Sequence, residues 1–292
     1  MKYRVTHTTE YAYAEPVSLA HNETHLQPRD IGRQRVLAYR LEIDPKPAVV
    51  AERIDFFGNH VTYFALERPH ALLRVTATTD LEIDTGVRMG HGASTLSWQR
   101  VVARLRGASE GALLDARQYV LESPMVRVLP ELRKYAAKSF SPGRNLVEAV
   151  SELMQRIHED FKYEPGATSV ATPLDEMFAQ RSGVCQDFAH LAIACLRAKN
   201  LPARYVSGYI ETIPPPGQEK LTGSDASHAW FSVFDPEVGW LDFDPTNNQI
   251  PMDQHIVTAW GRDYADVTPL KGVIFGGGEH SARVAVDVTR GA

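Results

Sequence analysis

Long apolar runs are missing from this 292-residue sequence. No stretch approaches the ~18 consecutive apolar residues of a membrane-spanning helix. The opening Met1-Lys2-Tyr3-Arg4-Val5-Thr6-His7-Thr8-Thr9-Glu10 has neither the apolar core nor the small-residue cleavage site of a secretory leader. Basic clustering is absent as well. The formal net charge is −5 and no basic stripe carries interleaved aromatics, which argues against nucleic acid or an anionic membrane as partner. Cysteine is scarce: Cys185 and Cys195 fall on one predicted helix. That separation is ~15 Å at the helical rise, too far for a disulfide, whose Cα atoms lie within ~7 Å. Two free thiols predict a reducing, cytoplasmic setting. Neither has a cysteine at the short spacing of a zinc site, and His7, His21, His25, His60 and His70 are scattered. No Asp-x-Asp-x-Asp-Gly loop is present. No metal and no cofactor is therefore expected. Gly276-Gly277-Gly278 lacks the strand-before, helix-after setting of a phosphate loop and reads as a flexible turn.

What is present is an ordinary globular composition, 43% hydrophobic and 23% charged, in a chain long enough for two domains. Residues 1–105 read as antiparallel β structure. Tyr3, Val5 and His7 alternate with polar neighbours, as do Tyr11 and Tyr13, and strand-like runs follow at 36–43, 61–66 and 72–78. Asp44-Pro45-Lys46-Pro47 and Phe57-Gly58-Asn59-His60 separate them as turns. From Gly111 the period becomes helical, so residues 106–292 form the second expected domain. Asn145 followed by Glu148 is a helix-start signal, and Leu146, Val150, Leu153, Met154, Ile157 and Phe161 recur at helical spacing behind it. Thr172-Pro173 predicts another start, with the threonine as cap. A helix from Cys185 to Lys199 should close at Asn200 in the left-handed conformation, before Pro202. Strands are predicted at 204–210, 228–234 and 240–243, and a last alternating strand over 282–288 should return to the sheet. The loop Pro214-Pro215-Pro216-Gly217 is expected to border a cleft.

Chemistry concentrates in this second part. Cys185 begins a helix, where unpaired N–H groups and the helix dipole favour an anion. His228 lies in a strand 43 positions later and Asp244 ends the next strand after a further 16. Antiparallel neighbours ~4.8 Å apart bring such a pair within hydrogen-bonding reach. Asp242 shares a strand face with Asp244, so alternation does not separate them. Cys195 sits in an apolar run and reads as a small core residue. On spacing alone, a Cys-His-Asp site and a coincidental set of core residues stay equally open.

Gly183-Val184-Cys185-Gln186-Asp187-Phe188-Ala189-His190, Pro202 to Tyr209, Ser227-His228-Ala229-Trp230 and Asp244-Pro245-Thr246-Asn247 together resemble the transglutaminase-like superfamily. The likeness is to its bacterial cysteine-protease-like branch. Tyr3 to Thr9 and Asp55-Phe56-Phe57-Gly58-Asn59 resemble the β-rich N-terminal domain of that branch. The resemblance implies an α+β fold: an N-terminal antiparallel β domain, then a papain-like core with its nucleophile helix packed on an antiparallel sheet. It implies Cys185 as nucleophile, His228 as base and Asp244, through its Asp-Pro-Thr context, as orienting carboxylate. Gln186, Asp187, Trp230 and Tyr209 are expected to bind substrate or support the site, whereas His190 faces away from the cysteine. Animal transglutaminases carry glutamine before the cysteine and tryptophan after it; Val184 and Gln186 stand there instead. The expected activity is hydrolysis of a peptide or isopeptide amide by a thiol enzyme acting on a peptide or protein. Acyl transfer to an amine, as in a transglutaminase, and a noncatalytic binding module are the alternatives.

Overall fold

The computed structural model describes residues 1–86, 92, 94–212 and 227–291. The Pro214–Gly217 loop lies outside the described residues. Inward Tyr3, Val5, His7 and Thr9 set the alternation of β1 (Lys2–Thr24), the axis of the first sheet. β2 (Gln34–Asp44), β3 (Val49–Ile54), β4 (His60–Leu66) and β5 (His70–Ile83) follow. β4 and β5 run in succession along one flank of β1, with Leu66 opposite Ala20 and Leu72 opposite Ala12. β3 extends this flank beside β4, and β2 beside β5.

The expectation of β structure as far as residue 105 needs correction, because α1 (Trp98–Arg106) occupies its end. Val101, Val102 and Leu105 recur at helical spacing and pack into the core of the second region. α2 (Gly111–Arg117) and α3 (Pro130–Ala137) come next. α4 (Leu146–Asp160) starts where Asn145 predicted: its side chain accepts from the Val147 and Glu148 N–H groups at 2.8 and 3.3 Å. A short strand, β6 (Lys162–Tyr163), leads to α5 (Leu174–Gln180), which Pro173 rather than Thr172 caps. The Thr172 hydroxyl is engaged with the Ser169 N–H instead.

β7 (Ser182–Gly183) pairs with β6 and delivers the chain into α6 (Cys185–Arg197). From Phe188 to Leu196 every residue of α6 is buried, the reason its apolar run has no polar face. Asn200 takes the left-handed conformation that ends the segment. β8 (Ala203–Ile210), β9 (Ser227–Asp235), β10 (Gly239–Phe243) and β11 (His255–Gly261) form a four-stranded antiparallel sheet in the order β10-β9-β8-β11. α6 joins α1, α4 and the inner faces of β9 and β10 in one core containing Leu153, Ile193, Phe231 and Phe243.

After α7 (Tyr264–Val267), β12 (Leu270–Gly276) and β13 (His280–Arg290) return to β1. The last predicted strand thus joins the N-terminal sheet, not the four-stranded one. Taking residues 106–292 as one unit misses this exchange: residues 270–290 complete the sheet begun by residues 2–24. Gly276, Gly277 and Gly278 all have positive φ and turn the chain between β12 and β13 opposite Ala14 to Pro16.

Polar side chains lock the two sheets together. The Gln34 amide spans the Val257 backbone, donating to its carbonyl at 2.8 Å and accepting from its N–H at 2.9 Å. Asn59 does the same for Trp260, at 2.8 and 3.0 Å. The Arg29 guanidinium lies 3.6 Å over the Trp260 ring. In this way the Asp55-Phe56-Phe57-Gly58-Asn59 turn and the 29–34 loop clamp β11 from the N-terminal side.

Candidate active site

Cys185 is the first residue of α6, half-buried, with its sulfur at the positive end of the helix. Asp187 secures that helix start. Its Oδ2 accepts from the Val184 N–H at 2.8 Å and the Thr168 hydroxyl at 2.6 Å. Burial raises the Asp187 carboxyl, and those two hydrogen bonds pull the other way. Asp187 therefore supports the helix start. Cys195 is fully buried, and burial pushes its thiol up to about 12.

His228 and Asp244 meet as the hairpin of β9 and β10 predicts. Nε2 of His228 donates to Asp244 Oδ2 at 2.8 Å, and both side chains are buried. Asp244 is held from all sides. Its Oδ2 also accepts from His255 Nε2 at 3.0 Å and Asn247 Nδ2 at 2.8 Å. Its Oδ1 accepts from the backbone N–H groups of Thr246 and Asn247 at 3.0 and 3.2 Å. Burial opposes charge on both partners, yet the hydrogen bonds win. Those from His228 and His255 hold the Asp244 carboxyl well below the usual carboxylate range. The bond with Asp244 and the nearby Cys185 raise His228 from 6.5 to about 10. Since Nε2 is committed to Asp244, Nδ1 is the ring nitrogen left for the sulfur.

The remaining expected residues divide. Asp242 takes a hydrogen bond from the Ser232 hydroxyl, and Arg33 and Arg204 feel its charge; the bond to His228 is made by Asp244. Trp230 is fully buried and lies 6.0 Å from the His228 ring and 5.1 Å, edge-on, from His255, so it backs the histidines as wall. Gln186 is half-buried and its amide faces the Val170 carbonyl at 3.5 Å. Tyr209 is not brought to the site. Its hydroxyl bonds His7 Nδ1 at 3.0 Å, and its ring packs among Tyr3, Val5 and Ile256 between the two sheets. His190 accepts from the Tyr264 N–H at 3.2 Å, and burial lowers it to about 4, which keeps it neutral. With Asp187 it lines a cavity of about 450 Å³ behind α6, together with Arg127 and Asp175.

Two residues of the network, His255 and Asn247, were assigned no role from sequence. Asn247 stood inside the Asp-Pro-Thr-Asn match, which was its signal. A histidine opening the apolar run Ile256-Val257-Thr258-Ala259 was the signal for His255. The ring nitrogens of His228 and His255 and the Asp244 carboxylate lie within 4.8 Å of one another, but both Nε2 atoms are spent as donors to Asp244, so the cluster is a hydrogen-bond network.

A thiol at a helix N-terminus facing an imidazole–carboxylate pair on an antiparallel sheet defines the papain-like class of thiol-dependent folds. The bacterial transglutaminase-like N-terminal region matches residues 3–82, and the transglutaminase-like superfamily core matches residues 133–245. An uncharacterized protein of Mycobacterium tuberculosis is 43% identical over 295 residues, spanning 98% of this chain and 92% of its own. The protein-glutamine gamma-glutamyltransferase of Pseudomonas aeruginosa is 40% identical over 106 residues, 35% of this chain and 16% of that protein. A solved structure from Cytophaga hutchinsonii, provisionally assigned as a cysteine protease, superposes with a TM-score of 0.78 at 22% identity, covering 99% of this chain and 90% of that one. The chain belongs to the transglutaminase-like superfamily and carries that family's bacterial N-terminal region.

Proposed function

We propose that this protein hydrolyses an amide bond of a peptide or protein, with Cys185 as nucleophile, His228 as acid and base, and Asp244 as orienting carboxylate. The observation that carries the reading is the position of His228, bonded to Asp244 at 2.8 Å and raised to about 10 by that carboxylate and by the neighbouring Cys185. A ring so held is an imidazolium at neutral pH, the partner a thiolate needs. The thiolate sulfur adds to the amide carbonyl, and the carbonyl π electrons move onto oxygen. Collapse of this adduct breaks the C–N bond as the His228 imidazolium gives its proton to the departing amine. The acyl group remains as a thioester on Cys185. Water, deprotonated by the now neutral His228, adds to the thioester, and its collapse returns a carboxylic acid and the thiolate–imidazolium pair. Asp244 keeps Nε2 protonated, so that Nδ1 is the nitrogen exchanging the proton. The two unpaired thiols support a reducing compartment, the cytoplasm, as the proposed location.

Transfer of the same thioester to an amine is the second reading, favoured by the stretch shared with the Pseudomonas glutamyltransferase. A glutamine- and lysine-containing peptide library in ¹⁸O water with a labelled amine separates the two. Hydrolysis places ¹⁸O in a new carboxyl group; transfer places the amine. Peptides carrying neither label, while the Cys185 thiol is shown to be intact, would refute both.

A further inference from the structure

His255 is a buried histidine that the proposed chemistry does not use. It opens β11, is 1% exposed, and sends Nε2 to the same Asp244 oxygen that receives His228. Since an ionised carboxylate only accepts, Nε2 carries the proton. Nδ1 is buried with no partner among the described residues. A second proton there would have no acceptor, so the ring is a neutral donor. Its surroundings agree. β9 presents His228, the turn after β10 presents Asp244, and the 29–34 loop presents Arg33, whose own charge Asp242 and Asp253 favour. β8 pairs the apolar Ile210 against it. Of these groups only Asp244 favours charge on His255; burial, His228 and Arg33 oppose it, and the net shift is downward.

We propose that His255 is a positioning residue that shares Asp244 Oδ2 with His228 and so limits how strongly the carboxylate stabilises the imidazolium, leaving its Nδ1 proton transferable to the amine. The inference rests on the reading that His228 serves Cys185. A neutral N–H on the oxygen draws off part of its negative charge, and Asp244 stays ionised while its hold on His228 is tempered. Strand β11 keeps the ring in place because Gln34 grips the Val257 backbone two residues on. The N-terminal domain thereby reaches the site through one strand. Gly208 permits this closeness, since a Cβ there would lie 2.0 Å from the Ile256 carbonyl and 2.8 Å from the Trp230 ring.

The test is the pH dependence of Cys185 alkylation by iodoacetate, whose negative charge makes the reaction fall off once the imidazolium loses its proton. His255→Leu should move the alkaline limb upward by about one pH unit, the worth of one hydrogen bond to a charged group. His255→Gln, which restores an amide donor, should bring the limb back to the wild-type position. In the wild-type protein, long-range ¹H–¹⁵N spectra should show His255 as the neutral Nε2–H tautomer at pH 7, a result that needs no variant to fold. A limb unmoved by His255→Leu in a folded protein, or a cationic His255 at pH 7, overturns this inference alone. Wild-type alkylation with no alkaline limb overturns the pairing of Cys185 with His228, and this inference with it.

Discussion

Replacing Asp244 by asparagine should do far more than delete one charge. The carboxylate accepts three N–H donors on Oδ2 and two on Oδ1, all within 3.2 Å. An asparagine has one accepting oxygen and one NH₂ group, so whichever way it turns, the NH₂ points at donors. If it occupies the Oδ2 side, His228, His255 and Asn247 lose their acceptor. If it occupies the Oδ1 side, the N–H groups of Thr246 and Asn247 do. Breaking a buried charged pair costs about 3–5 kcal/mol, which for a chain of this size lowers Tm by on the order of 10 °C. Turnover should fall by about 10²–10⁴, because His228 loses both its tautomer control and the charge that stabilises it. The wild-type carboxyl is depressed in the folded state, so its contribution is present above the unfolded carboxylate range and is lost on acidification. The gap in Tm between wild type and Asp244→Asn should therefore narrow from pH 7 to pH 2, nearly all of it below about pH 4, where the unfolded carboxyl takes up its proton. Calorimetry at both pH values, with iodoacetamide kinetics at pH 7, reads all of this. A variant within ~2 °C of wild type at pH 7, with unchanged alkylation kinetics, would refute the description of Asp244 as the hub of the site.

Iodoacetamide at limiting concentration should label Cys185 and leave the buried Cys195 unmodified in the native protein, as peptide mass mapping would show; labelling of Cys195 first would reverse the assignment. His228 has a folded value of about 10, above the unfolded 6.5, so its stabilising contribution is complete below pH 6.5 and is lost as pH rises through about 10. Tm should fall across that interval more steeply in the wild type than in His228→Gln. Gly208→Ala places a Cβ 2.0 Å from the Ile256 carbonyl and should cost about 3 kcal/mol, the upper end of overpacking penalties; a Tm equal to wild type would show that β8 and β11 part without cost. A fragment beginning at Gly107 strips β1 from both β12 and β13. It should be insoluble or unfolded by circular dichroism, and a soluble, cooperatively unfolding fragment would contradict the interlocked sheet.

Local patterns in the sequence already determined most of the elements and the nucleophile's setting. Alternation in β1, the Asn145 cap, the apolar run 191–196 of α6 and the left-handed Asn200 are consequences of neighbours a few residues apart, so reading them needs no knowledge of the fold. Cys185 at a helix start and the His228–Asp244 hairpin were legible for the same reason: one depends on a helix boundary, the other on a single turn. Long-range pairing decided the rest. Nothing local in residues 270–290 shows that their partner is β1, because a strand's own pattern says which face is buried and not which strand lies beside it. Tyr209 was placed near the site by its motif, yet the buried hydroxyl needed a partner and found it in His7, some 202 positions away. Asp242 and Asp244 have the same periodicity, and only the packing of Ser232 and the turn at Thr246–Asn247 sends one to a serine and the other to His228. His255 was the least visible of all. Its chemistry comes from an Asp244 oxygen that two other donors already share, and that crowding exists only once β11 is clamped between the core and the N-terminal sheet.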